Sequence, residues 1–310
     1  MKKCKIIMNP KSGKKKKTNY TALYDILRNH GYDAEIIYTK AAKDATKIVE
    51  ELPNDIDLVI SAGGDGTLNE VVTGDMHRRK MLTLANLPLG TVNDVGNMYG
   101  LHQSTLKNLE AILNGVPKKI DVCYINDTVF VYVACLGDYT DMAYATPRDL
   151  KKMYGKFGYI MYGLKQFLTN KIHNYNIRYT VNGKTYTDDY SFFFITNSSR
   201  IAGVDDVYYD IKLDDNMFEV AMAKIRRKKD MFKLLGMMFT SDIENIPNIT
   251  YYQTSSIDIE FLNPPKTSWC IDGEEYKSTS TKFSLKVIKG PKMLMPKVNL
   301  DRLFNKWNED

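Results

Sequence analysis

Short apolar runs alternate with stretches of helical periodicity through the first third of the chain. Lys5-Ile6-Ile7-Met8 has strand length and stops at Asn9-Pro10, because proline has no N–H to continue a ladder. Residues 18–30 place Leu23, Ile26 and Leu27 on one helical face, and Gly31 closes that pattern. Ala34 to Thr39 alternates like a strand, residues 41–51 return to helical spacing, and Pro53-Asn54 breaks them. Ile56-Asp57-Leu58-Val59-Ile60 then reads as a strand, a helical pattern follows Gly66, and Leu82-Thr83-Leu84-Ala85 is the next strand. This β-α-β-α-β order predicts a doubly wound sheet with most strands parallel.

From about residue 121 the texture is β-rich. Val129 to Ala134, Tyr175 to Val181, Tyr190 to Thr196, Met217 to Ala223, Ile257 to Phe261 and Lys282 to Ile288 all read as strands. Asn182-Gly183 is a hairpin signal between two such runs. These segments predict a mainly antiparallel second domain, interrupted by helices near 148–171 and 228–240. Gly290-Pro291 punctuates the chain before a short tail, Val298 to Trp307, that returns to the first domain. The expected division is 1–120 with the tail 291–310, and 121–290.

Composition narrows the function classes. A net charge of +6 over 310 residues suits an anionic cofactor or an acidic membrane surface. It falls short of the basic stripe of a dedicated nucleic-acid binder, so no nucleic-acid partner is expected. Cys4, Cys123, Cys135 and Cys270 show neither CxxC pairing nor metal-ligand spacing, as expected of reduced thiols in a cytoplasmic protein. The N-terminal apolar run is too short for a signal peptide, and no segment approaches the roughly 18 apolar residues of a membrane span. Any membrane contact is therefore expected to be peripheral.

The candidate chemistry sits in the loops after the strands. Gly63-Gly64-Asp65-Gly66-Thr67 forms a strand-to-helix turn whose bare backbone amides and helix N-terminus suit a phosphate. Asn9-Pro10-Lys11-Ser12-Gly13 follows the first strand, and Pro88-Leu89-Gly90-Thr91-Val92-Asn93-Asp94 follows the fourth. Three such loops converge on one sheet edge, where open α/β sheets hold ligands. Lys14 to Lys17 would serve phosphates, an acidic surface, or only solvent. Far downstream, Asp272 and Glu274 stand two apart; in an extended segment both would point to one face.

The loops, together with Ile120-Asp121, Lys212-Leu213-Asp214-Asp215-Asn216-Met217 and Cys270-Ile271-Asp272-Gly273-Glu274, resemble the diacylglycerol kinase catalytic family, nearest its soluble bacterial lipid kinases. The resemblance implies an N-terminal, NAD-kinase-like nucleotide-binding domain joined to a β-sandwich-like domain, with the active site in the cleft. It implies ATP contacts at Asn9, Pro10, Lys11, Ser12, Gly13, Thr39, Gly63, Gly64, Asp65, Gly66, Thr67, Leu68, Asn69, Glu70 and Thr91. Asp65, Asp94 and Asp121 match the acidic positions that reach ATP-bound Mg²⁺ through water. Asp215, with the carbonyls of Lys212 and Met217, matches a structural metal site. Asp272 and Glu274 supply one base and one organiser, in an order the sequence leaves open.

The expected reaction moves the γ-phosphate of ATP to a lipid hydroxyl, most simply diacylglycerol giving phosphatidic acid, at the inner face of a membrane. A homodimer is a family-level expectation. Competing readings are a NAD kinase, which shares Gly-Gly-Asp-Gly-Thr, and a silent nucleotide-binding module. The sequence departs from the family pattern at Asn216, where glycine is usual, and at Val95-Gly96-Asn97, which replaces Phe-Ala-Arg. Ala202 to Asp206 is also poorer in glycine. Lys224 to Phe239, basic then apolar at helical spacing, reads either as a docking face for anionic headgroups or as core. Arg148 to Phe157 reads the same two ways.

Overall fold

The structure is a computed structural model that describes residues 1–12, 19–138, 172–200, 211–227, 230 and 246–305. Its first part runs β1 (Lys2–Met8), α1 (Tyr20–Asn29), β2 (Tyr32–Tyr38), α2 (Asp44–Glu50), β3 (Leu58–Gly63), α3 (Asp65–Met76) and β4 (Thr83–Pro88). The four strands are parallel in the order β2-β1-β3-β4. β3 is buried at all six positions, as expected of a central strand covered on both faces. α1 buries Leu23 and Leu27 and is capped by Asn19, whose Oδ1 accepts the Ala22 N–H at 3.1 Å. Successive connections leave β1 in opposite directions, so the crevice beyond the carboxyl ends of β1 and β3 is a topological switch point.

Two short helices, α4 (Asp94–Met98) and α5 (Thr105–Leu113), lead into the β-rich part. It comprises β5 (Val116–Ile125), β6 (Thr128–Phe130), β7 (Val133–Gly137), β8 (Tyr175–Val181), β9 (Lys184–Tyr190), β10 (Phe192–Thr196) and β11 (Phe218–Ala223). β12 (Ile249–Thr254), β13 (Ser256–Phe261), β14 (Trp269–Ile271), β15 (Glu274–Tyr276) and β16 (Lys282–Met295) complete it, followed by α6 (Leu300–Leu303). One antiparallel sheet has the order β12-β11-β10-β7-β14-β15. The other strands extend the first sheet as β4-β16-β13-β8-β9, with β5 also on β16. The two sheets face each other across an aromatic core, with Phe193 against Phe261 at 5.4 Å and Trp269 against Phe283 at 5.5 Å between ring centroids. Alternation sets the faces: on β8, Tyr175, Ile177, Tyr179 and Val181 point inward while Asn176 and Arg178 face solvent.

Several sequence expectations change here. Gly290-Pro291 does not end the strand. β16 runs through it for 14 residues, antiparallel to β13 and β5 at its start and parallel to β4 at Lys292 and Met293. The register shifts between Lys289 and Lys292, so Pro291 sits where the ladder is already interrupted. The run Val129 to Ala134 is likewise two strands, broken at Val131-Tyr132. The strands β5, β9, β12, β14 and β15 carry more polar or shorter patterns and were not anticipated. Asn182-Gly183 makes its hairpin turn with φ of 50° and 73°. The expected helices near 148–171 and 228–240, Lys14 to Lys17 and Ala202 to Asp206 lie outside the described residues, apart from Asp230.

Leu303 and Phe304 pack into the core of the first part. The four cysteines are buried and free. Among the described residues no helix is long and apolar enough to cross a membrane.

Gly290 is required by close packing, since a Cβ there would lie 2.3 Å from Val122 Cγ2. Gly290→Ala is expected to destabilise the fold by about 1–3 kcal/mol, read as a lower urea midpoint with an unchanged slope.

Candidate active site

The three loops meet through their backbones. Asn9 N–H donates to Ala62 O at 3.0 Å, and the Leu89 and Gly90 N–H groups share Gly63 O at 2.6 and 3.2 Å. Gly90 is pressed against the glycine turn: a Cβ on it would stand 2.7 Å from Gly64 Cα. A Cβ on Gly63 would meet the Thr67 side chain at 2.3 Å. α3 starts at this turn with Gly64 as its N-cap and no side-chain cap hydrogen bond. Its amino end, with the macrodipole behind it, suits a phosphate.

The polar residues of α3 act as tethers. The Asp65 carboxylate accepts the N–H groups of Asp94 and Val95 at 3.0 and 3.1 Å, capping the short α4. Thr67 Oγ1 receives Asn9 Nδ2 at 3.4 Å, tying in the first loop. Asn69 Nδ2 donates to Val129 O at 3.1 Å and to Asp272 Oδ2 at 2.7 Å. Glu70 turns away from the crevice. Its carboxylate accepts the N–H groups of Lys43 and Ala45 at 2.9 and 3.1 Å, capping α2. Asp65 and Asn69 are four apart and share a helix face, which aims them at the β-rich part, whereas Glu70 is one step round.

Asp272 does not sit in an extended segment. Asp272 and Gly273 have φ of 47° and 87°, the signature of a two-residue hairpin turn between β14 and β15. The expectation that Asp272 and Glu274 share one face therefore fails, because both turn residues are left-handed. The Asp272 carboxylate is buried and accepts four hydrogen bonds, from Val131, Tyr132 and Val133 N–H at 2.7, 3.1 and 3.0 Å and from Asn69. These bonds take the amides of Val131 and Tyr132 and so break the strand there. Burial raises its pKa, and the four donors oppose that shift. Glu274, at the start of β15, is exposed.

Around this link the carboxylates crowd. Burial and then the charge of Asp94 push Asp65 up to about 6. Asp94 is buried and pairs with Arg200 Nε at 3.3 Å. The Tyr132 phenol, also buried, is raised first by burial and then by Asp272, Asp65 and Asp94. Asp121 pairs with Lys289 at 2.9 Å, and its N–H donates to Leu213 O at 2.6 Å. The Asn216 N–H donates to the Asp121 carboxylate, which ties Asp121 to the 212–217 loop.

In that loop Asn216 has φ of 61°, so asparagine takes the left-handed turn usual for glycine. Asp215 Oδ1 accepts Met217 N–H at 2.9 Å, and burial pushes its pKa up to about 6. Glu219 is buried beside it, pushed up to about 8 by burial and then by Asp215. Sequence reasoning missed Glu219 and Tyr132, which sat inside runs read as strands, and Arg200, which follows one. Their only signal was a charged or phenolic group at an otherwise apolar or structural position. Among the described residues no three His, Cys, Asp or Glu side chains form a metal-binding group. The Lys212–Met217 loop offers main-chain oxygens and two carboxylates, Asp215 and Asp214, of which Asp214 Oδ1 already accepts Asn305 N–H at 2.9 Å.

The remaining candidates lie around the crevice. Pro10 and Lys11 are exposed, with Lys11 N–H on Asn9 Oδ1 at 2.9 Å and Ser12 N–H on Asn9 O at 3.1 Å. Thr39 follows β2, with its N–H on Met8 O at 2.9 Å. Thr91 is exposed on the loop after β4, Gly66 is open, and Leu68 faces the core. Gly13 lies outside the described residues.

Residues 3–125 match the family model of the diacylglycerol kinase catalytic domain. A diacylglycerol kinase of Bacillus subtilis is 29% identical over 277 residues, covering 88% of this chain and 90% of its own. One of Staphylococcus aureus is 29% identical over 275 residues, covering 88% and 86%. A crystal structure of a diacylglycerol kinase from Bacillus anthracis superposes with a TM-score of 0.78 at 25% identity, covering 96% of this chain and 99% of that one.

Asp65 gives a pH test. Its pKa of about 6 lies above the ordinary 3.8, so the folded state binds a proton the unfolded chain has lost. Asp65 therefore favours the fold below about pH 4, and that contribution is lost as pH rises through about 6. Asp65→Asn is expected to flatten this part of a urea-midpoint-against-pH curve.

Proposed function

We infer that this chain, a member of the diacylglycerol kinase family, is an ATP-dependent lipid kinase that transfers the γ-phosphate of ATP to a hydroxyl of diacylglycerol. The observation that carries the reading is the Asn69–Asp272 hydrogen bond at 2.7 Å. It locks the phosphate-binding helix to the hairpin that presents Glu274. A nucleotide-only module has no need of that link.

Phosphoryl transfer asks a protein mainly for positioning and charge neutralisation. The amides of the glycine turn and the amino end of α3 hold the phosphates, with Asn9 to Gly13, Thr39 and Thr91 around the nucleotide. Glu70 supports this arrangement from behind, through α2. Burial and then the Asp94 charge raise Asp65 to about 6, and this carboxylate pair, which a cation would relieve, fits the hydrated Mg²⁺ that accompanies ATP. Mg²⁺ would offset the charge of the triphosphate as the bond to the leaving oxygen breaks.

Glu274 is the proposed base: it is exposed at the hairpin and accepts the proton of the lipid hydroxyl as its oxygen attacks the γ-phosphorus and ADP departs. Asp272 is the organiser, its oxygens already engaged by four donors. Asp121 joins the site to the 212–217 loop, where Asp215 and the carbonyls of Lys212 and Met217 would hold a second, structural cation. Buried Glu219, raised to about 8, is mainly protonated at neutral pH and borders that loop as an un-ionised carboxyl. We divide the chain at residue 120, with 291–310 returning to the first domain. We place lipid contact peripherally at the inner face of the membrane, with a homodimer as the assembly to test.

Labelled ATP offered with mixed lipids, or with NAD, tests the reaction: label in phosphatidic acid is expected, and label only in NADP would sink the proposal. Glu274→Gln should lower kcat by about 10²–10⁴ and leave the KM for ATP nearly unchanged. Asp272→Asn should instead cost about 1–3 kcal/mol of stability, because an amide cannot accept all four donors. Equal turnover in wild type and Glu274→Gln would remove the base assignment.

A further inference from the structure

Arg200 comes from the segment after β10, on the antiparallel sheet, yet its guanidinium reaches Asp94 at the start of α4, with Nε 3.3 Å from Oδ1. Both side chains are nearly buried, at 13% and 3% exposure, so the pair is shielded from screening by salt. The backbone is set for this reach. Ser198 Oγ donates to Arg200 O at 2.8 Å and accepts Arg200 N–H at 3.2 Å, which folds residues 198–200 into a tight turn. The same hydroxyl lies 3.3 Å from Met98 Sδ, so the turn packs on α4 itself. Asn97, nearer in sequence, uses its amide on Val92 O at 2.9 Å.

Asp94 in turn is wired to the glycine turn, because its N–H is one of the two held by the Asp65 carboxylate at 3.0 Å. A chain of contacts thus runs from the antiparallel sheet through Arg200, Asp94 and Asp65 to the amino end of α3.

We propose that Arg200 is a positioning residue for ATP: its guanidinium balances and orients Asp94, and so keeps the 88–94 loop docked on the glycine turn. The assignment rests on the reading of this crevice as an ATP site. Without the guanidinium, the charge that meets Asp94 Oδ1 at 3.3 Å is gone. The start of α4 then loses its side-chain tie to the 198–200 turn, and the 88–94 loop is held on the glycine turn by fewer contacts.

Titration calorimetry of Mg-ATP on the full chain tests this, with lipid phosphorylation measured in parallel. Arg200→Gln, which keeps a nitrogen at the ε position and loses the charge, is expected to weaken ATP binding about tenfold or more, and Arg200→Lys to recover most of that loss. Added to Asp94→Asn, Arg200→Gln should weaken binding less than twofold further, because the two act as one unit. The KM for ATP should rise more than kcat falls. Binding within twofold of wild type in Arg200→Gln overturns the proposal, as does an undiminished tenfold loss in the Asp94→Asn background. A wild type that binds ATP but phosphorylates no lipid removes the lipid-kinase reading and leaves the Arg200 result standing. One that binds no ATP overturns both.

Discussion

A single buried carboxylate ties the hairpin of the antiparallel sheet to the helix behind the glycine turn. Asp272 arrives on a hairpin from the antiparallel sheet and collects three main-chain N–H groups and one side-chain amide. Removing a carboxylate from water is costly unless its oxygens are fully engaged, and here the partners come from two separate elements. The amide of Asn69 is the one contributed by the first sheet's helix. That donor places the hairpin over the amino end of α3, and the same set of bonds interrupts the strand at Val131 and Tyr132. Asp272 also returns its own N–H to Val133 O at 2.9 Å, so hairpin and strand hold each other in both directions.

The second theme is crowded negative charge under partial burial. Asp65, Asp94 and Asp272 lie close enough that the charges of the latter two raise the first. Asp121, Asp214, Asp215 and Glu219 form a comparable group one loop away. Each group contains a cation delivered from a distant segment, Arg200 in the first and Lys289 in the second. A protein that only folded would gain by replacing such clusters with apolar residues. Their presence is easier to understand where anionic substrates and hydrated cations must be organised.

How much was legible in the sequence depended on whether a feature was local. The alternating βα units gave the parallel sheet directly, since period and turn residues are properties of neighbouring positions. The glycine turn was readable for the same reason: Gly63 and Gly90 are small because backbones approach there. The spacing of Asp272 and Glu274 left extended and hairpin geometries both open, and the structure takes the turn that the Asp-Gly dipeptide favours. Gly290-Pro291 was misread as a stop, because only the partner strand β5 shows that a register shift absorbs the proline. The missing arginine at Asn97 was visible, and the guanidinium that reaches Asp94 from residue 200 was not. Contacts between residues so far apart leave no trace in local pattern.

The long strand β16 has a mechanical consequence. It is laddered to β13 near its start, to β5 along its length and to β4 near its end, so the two halves share one continuous hydrogen-bonded sheet. A hinge rotation that opened the crevice would have to shear these ladders or bend the strand at its single irregularity, between Lys289 and Lys292. Large jaw-like movement is therefore disfavoured. A ligand of this crevice meets a slot whose two sides are joined through one sheet and are shaped before it arrives.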